Sequence, residues 1–140
     1  MNGCHIIDTG PLVASLNHKD RHHNWAIAQL GLIRPPLYTC EAVLTESCFL
    51  LRKYPEGAKA ILSLVTRGLV AVAFQLTDHA EPIARMMAKY AEVPMSLADA
   101  CLVRMTELHT GCKLLTLDND FSIYRRNGRH TIPTLIPGDI

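Results

Sequence analysis

Apolar residues fall along this chain in short blocks of two kinds, strand-like runs and helix-spaced stretches, and their alternation predicts the architecture. His5-Ile6-Ile7 is brief, apolar and halted at once by Asp8-Thr9-Gly10-Pro11, which marks a buried strand ending in a turn and a helix start. Thr9 suits the cap of that helix and Pro11 its first turn. A polar stretch, 17–24, interrupts it; helical spacing resumes over 25–30, and Arg34-Pro35-Pro36 ends it. Thr39 is expected to open a strongly apolar helix over 39–53, in which Ala42, Val43, Leu44, Phe49, Leu50 and Leu51 leave few exposed sides. A helix over 55–68 is followed by a β-branched run over 69–74 that predicts a second buried strand. Further helices are expected over 77–91 and 96–109, the latter ended by Thr110-Gly111. The strand predicted over 113–117 leads straight into Asp118, and a short helix should cover 119–126. The run 131–135 predicts a strand at the sheet edge, because Pro133 lacks a ladder donor.

Strands alternating with helices favour an α/β fold, a mostly parallel sheet with helices on both faces reached by right-handed crossovers. Such sheets bind ligands at the carboxyl ends of their strands, where Asp8 and Asp118 both fall. At 140 residues and 49% hydrophobic content, one domain with a proper core is expected over 1–140. No apolar run is long enough to cross a bilayer, and Met1-Asn2-Gly3-Cys4-His5 lacks the layout of a secretory signal, so a cytoplasmic protein without membrane contact is expected. The five cysteines are odd in number, contain no C-x-x-C pair and sit mostly in apolar segments, which favours reduced, structural thiols over disulfides or zinc.

The candidate chemistry lies in carboxylates placed beside apolar residues. An acid taken out of water without a partner costs several kcal/mol or changes its pKa, so repeated acids at the margins of apolar segments point to a shared cation. Asp8 follows three residues expected to be buried, and it reads equally as a turn or cap carboxylate receiving nearby amide hydrogens. Glu46 has Ala42, Val43, Phe49 and Leu50 as its helical neighbours, an apolar face on which an acid needs a salt bridge or a metal. Asp99 lies in Ser96-Leu97-Ala98-Asp99, which has the form of a capping box, and the helix dipole there also keeps a carboxylate ionised. Asp118 or Asp120 could cap the next short helix, with Thr116 orienting one of them. Five of the 13 acids belong to this set; the eight that remain face 14 Lys and Arg, so the rest of the surface should be mildly basic and able to meet a polyanion.

Asp8-Thr9-Gly10, Thr45-Glu46, Ser96-Leu97-Ala98-Asp99-Ala100 and Thr116-Leu117-Asp118-Asn119-Asp120-Phe121 together resemble, in order and spacing, the PIN-domain ribonucleases, and most of all the toxin ribonucleases of the virulence-associated protein C type. The resemblance implies a Rossmann-like α/β/α sandwich and a catalytic and metal-binding site of Asp8, Glu46, Asp99 and Asp118. It also implies one or two Mg²⁺ or Mn²⁺ ions, an RNA substrate, a small antitoxin protein and a homodimer. Asp120 matches a variable position and is held as an alternative ligand, with Thr9, Ser96 and Thr116 in support. Hard divalent ions suit such oxygen donors, and the implied reaction is endoribonuclease hydrolysis of phosphodiesters by metal-activated water.

Other readings have less behind them. His18 and His22 are four apart, but the segment is polar and Asp20 is better suited to cap than the histidines to bind zinc. No G-x-G-x-x-G follows the first strand, which counts against a dinucleotide enzyme. Gly10 stands where a phosphatase built on Asp8 would need its second acid. The rival from another class is a non-catalytic PIN-like domain that binds RNA or protein.

Overall fold

In the computed structural model, which describes residues 3–140, five strands form one parallel sheet. The expectation about a signal at Met1-Asn2 lies outside the described residues. In chain order the elements are β1 (His5–Ile7), α1 (Thr9–Leu16), α2 (His23–Leu32), β2 (Leu37–Thr39), α3 (Glu41–Leu50), α4 (Gly57–Thr66), β3 (Val70–Val72), α5 (Ala80–Lys89), α6 (Leu97–Leu108), β4 (Lys113–Leu115) and β5 (Thr134–Leu135). Short 3₁₀ turns cover Leu76–His79 and Asn119–Ser122. Among the described residues no helix is long and apolar enough to cross a membrane.

The strand order is β3-β2-β1-β4-β5. Ile6 and Ile7 pair with Leu114 and Leu115, and on the other side of β1 Ile6 pairs with Tyr38. The chain winds outward from β1 through β2 to β3, then returns to place β4 on the opposite flank of β1. The winding direction therefore reverses between β1 and β4, and the segments leaving those two strands part to open a crevice at their carboxyl ends. Ile6, Ile7, Leu114 and Leu115 are wholly buried, since the sheet is covered on both faces. Helix α6 supplies Ala98, Ala100, Cys101, Leu102, Val103 and Met105 to the same core and packs on β1 and β4, with α5 against it.

Three expectations need correction. The helix predicted from Thr39 begins at Glu41, and Leu37–Thr39 is a strand. Three residues after a proline pair carry too little periodicity to reveal it. Thr39 instead donates its hydroxyl to the Ile7 carbonyl at 2.9 Å, fastening β2 to the end of β1. Helix α3 is also less buried than its composition suggests: only Val43 and Ser47 are buried along it, and Phe49 and Leu50 are 59% and 50% exposed. Finally, Cys4 and Cys112 are joined in a disulfide, while Cys40, Cys48 and Cys101 are free. Each of the bonded residues immediately precedes one of two paired strands, whose register brings their Cα atoms to 4.4 Å. That adjacency is invisible across the 108 residues separating them.

The edge position of 131–135 agrees with the proline argument: β5 pairs only with β4, and the Pro133 carbonyl accepts from the Leu114 amide at 2.9 Å. The 17–24 stretch is loop up to His23, with Asp20 accepting from the His22 amide at 2.8 Å.

Candidate active site

At the crevice beyond β1 and β4 lies an open pocket of about 540 Å³. Asp8, Glu46, Asp99, Asp118 and Asp120 all line it, together with Thr9, Gly10 and Ser96, and among the described residues no Lys, Arg or His does. The five acids arrive on four supports, Asp118 and Asp120 sharing the turn after β4. Of the two caps weighed for α1, Asp8 at the end of β1 takes the role and Thr9 does not; the Asp8 Oδ1 accepts from the Thr9 amide at 2.7 Å. Gly10 allows the turn to come close, because a Cβ there would stand 3.1 Å from the Leu117 side chain in the loop after β4.

The neighbouring hydroxyls set the acids in place. Thr116, buried at the end of β4, donates to Asp8 Oδ2 at 2.8 Å and accepts from the Asp118 amide at 3.0 Å. It thus orients Asp8, not the side chain of Asp118 or Asp120 that its sequence position suggested. Thr9 donates to Glu46 Oε1 at 2.7 Å, so the helical acid is held by a hydroxyl on α1. Glu46 itself is exposed, which removes the demand for a salt bridge on an apolar face. Asp118 caps the following turn by accepting from the Asp120 amide at 2.8 Å.

Asp99 has the capping role weighed for it in the sequence. With Ser96 it forms a reciprocal capping box, the Asp99 amide donating to Ser96 Oγ at 3.0 Å and the Ser96 amide to Asp99 Oδ2 at 3.3 Å. It also lines the pocket. A third partner has no sequence signal: Tyr124, wholly buried, donates its hydroxyl to Asp99 Oδ2 at 2.9 Å. Tyr124 is placed by Phe121 and Tyr90, whose rings meet it edge-on at 5.3 and 5.1 Å.

The electrostatics follow from this crowding. Burial pushes Asp8 up to about 7, the charges of Asp99 and Glu46 add to the rise, and the Thr116 and Thr9 hydrogen bonds oppose it. Burial also raises Asp99, with Asp118 contributing, against the hydrogen bonds from Tyr124 and Ser96. Asp120 is raised by desolvation and by Asp118. Among the described residues no ion pair engages any of these five acids. Such a site carries excess negative charge and hard oxygen donors, the chemistry that a divalent cation satisfies. The fit is one of donor set and charge, since among the described residues no three His, Cys, Asp or Glu are drawn together into a finished metal cage. Asp8, Glu46, Asp99 and Asp118 are the residues that could hold the ion.

Comparison with known proteins agrees with the architecture. The PIN domain family matches residues 5–127. Among solved structures, the chain is similar to VapC20 of Mycobacterium tuberculosis, described as a toxin that cleaves the sarcin-ricin loop. The two share 23% identity with a TM-score of 0.75 over 84% of this chain and 92% of the other. No curated protein matches the sequence.

Proposed function

Because the chain belongs to the PIN-domain family, we propose that it is a single-domain, Mg²⁺- or Mn²⁺-dependent endoribonuclease, the toxin of a toxin–antitoxin pair. The observation that carries this reading is the pocket itself: five carboxylates from four separate parts of the chain, and no cation among the described residues lining it. The description of VapC20 as a toxin supports extending the reading to a small antitoxin partner, and the resemblance supports extending it to a homodimer.

When bound, the divalent ion supplies positive charge for the developing phosphoryl oxygens and lowers the pKa of the attacking water. The chain's own residues prepare for it. Asp8, Asp99, Asp118 and Glu46 provide the oxygen donors, with Asp120 as an alternative. Thr116 and Thr9 fix Asp8, Thr9 also fixes Glu46, and Tyr124 and Ser96 fix Asp99, each by a hydrogen bond donated to the carboxylate. Held this way, the donors would need little rearrangement as charge builds on the phosphoryl oxygens. The pocket is open, as a site for a polymer must be.

The test is cleavage of labelled RNA by purified protein in Mg²⁺ or Mn²⁺, with Asp118→Asn and Asp8→Asn as controls. Wild type should cut and EDTA should abolish cutting. Either folded variant should lose about 100-fold or more, since loss of even an outer partner of a metal ligand typically costs about 10–100-fold. Folded wild type that binds RNA and leaves it intact with both metals would instead favour a non-catalytic binding domain. Sequencing of RNA ends after brief expression identifies the target.

A further inference from the structure

An acidic pocket repels the backbone of any strand beyond the phosphate being cut, and a second cavity, of about 370 Å³, carries the opposite charge. It lies between α5, the second half of α6 and the turn after Tyr124, and its walls bring Arg85, Lys89, Arg104 and Arg125 together against one carboxylate, Glu107. The four cations are committed to different degrees. Arg104 is held by Glu107 at 3.1 Å and by His79 at 3.2 Å. Arg85 pairs with Glu81 at 2.7 Å on open surface, where such a pair is worth little and exchanges readily. Lys89 and Arg125 make no ion pair among the described residues. Arg125 Nη1 donates to the carbonyls of Ser122, Ile123 and Tyr124, which fixes the guanidinium without cancelling its charge.

A half-buried aromatic ring, Tyr90, lines the same cavity. Lys89 Nζ lies 5.3 Å from the centroid of Tyr90, and the Arg125 amide donates to the Tyr90 hydroxyl at 3.0 Å. The edge of Tyr90 meets Tyr124, whose hydroxyl holds Asp99. The basic cavity and the acidic pocket are therefore neighbours through two tyrosine rings.

We propose that this cavity is a subsite for the flanking segment of single-stranded RNA, holding backbone phosphate at Lys89, Arg125 and Arg85 and seating a base against Tyr90, while the scissile phosphate occupies the acidic pocket. Guanidinium and ammonium groups beside a fixed aromatic ring are the combination by which proteins grip single strands without reading sequence. An acidic protein segment would meet the same cations, but it offers no ring for Tyr90 and would not require the cavity to adjoin the carboxylates. The inference takes the identity of its ligand from the ribonuclease reading.

The test is fluorescence anisotropy of a labelled single-stranded RNA oligonucleotide with Asp118→Asn protein in Mg²⁺ buffer, so that binding is read without cleavage. Adding Arg85→Glu and Lys89→Glu, both at exposed positions of α5, should weaken binding about tenfold or more at low salt. The slope of log affinity against log salt should become shallower by about 1.4, the value for two lost phosphate contacts. Lys89→Gln alone should act in the same direction by a smaller amount, and decides the matter should the double reversal fail to fold. Unchanged affinity and slope in folded variants would overturn the subsite. So would a polyglutamate peptide that displaces the labelled strand at lower concentration than unlabelled RNA, which would assign the cavity to an acidic protein partner. The two readings separate cleanly: wild type that never cuts, with variants that lose RNA binding, leaves the subsite standing and removes the nuclease. Wild type that cuts, with variants that bind and cut equally well, does the reverse.

Discussion

Asp8 concentrates the physical tension of the molecule. It is 7% exposed, ends the central strand and lies close enough to Asp99 and Glu46 for their charges to raise it further. The consequence for stability has a definite sign. A carboxyl near 7 in the folded protein and near 3.8 in the unfolded chain binds more protons when folded, so the metal-free protein should lose stability as pH rises from about 4 to about 7, by up to about 4 kcal/mol, and level off above that. Asp99, also raised, contributes in the same direction. Chemical denaturation in EDTA at stepped pH should show this decline, and Asp8→Asn should flatten most of it. Tyr124 makes a complementary case. Tyr124→Phe removes one hydrogen bond to Asp99 and leaves the ring packing, so it should cost roughly 1 kcal/mol of stability. The concentration of Mg²⁺ or Mn²⁺ needed for half-maximal RNA cleavage should rise about tenfold. A metal titration equal to wild type would show that Asp99 does not depend on this hydroxyl.

At the scale of elements, the site is made of ends. The ends of β1 and β4 place Asp8 and Asp118, the start of α6 places Asp99, and α3 leans Glu46 toward Thr9. The capping box of α6 therefore serves stability and site geometry together. Ser96→Ala should lower stability by about 1 kcal/mol and release Asp99 from one of its restraints. Thermal melting measures the first effect. A matching rise in the metal requirement for cleavage would separate positioning from simple loss of folded protein. The strands were legible where a run of apolar residues met a turn signal, as at His5-Ile6-Ile7 before Asp8-Thr9-Gly10 or at Lys113-Leu114-Leu115 before Asp118. Leu37–Thr39 was not, because a three-residue strand between a proline pair and a helix leaves no period to read, and only its pairing with β1 and β3 makes it a strand. The exposed side of α3 was missed for a related reason: apolar composition reports what could be buried, and the neighbouring elements decide what is.

For the whole molecule, the sheet order matters more than any single acid, because it places the two halves of the sequence on either flank of β1 and lets their carboxylates share one pocket. A cation bound there stabilises the native state by mass action and relieves the repulsion among its ligands. Mn²⁺ or Mg²⁺ at about 100 times its dissociation constant should add roughly 3 kcal/mol and raise the melting midpoint by several degrees. The shift should nearly vanish in Asp8→Asn and be larger at pH 8 than at pH 5, where protons compete for the same oxygens. An equal shift in wild type and Asp8→Asn would move the metal elsewhere.

The chain's local pattern by itself determined most of the alternation of strands and helices, the cap of α6, the edge position of β5 and the cost of Asp8 at the end of a buried strand, because each of these depends on residues a few positions apart. The register of β1 against β4 and the packing of α6 against the turn after β4 decided the rest. Together they brought Asp8 to Thr116, set Cys4 beside Cys112 and put Tyr124 behind Asp99, contacts between residues 25 to 108 positions apart. Contacts at that range are fixed by how the sheet is wound and packed, and a one-dimensional pattern carries no record of them.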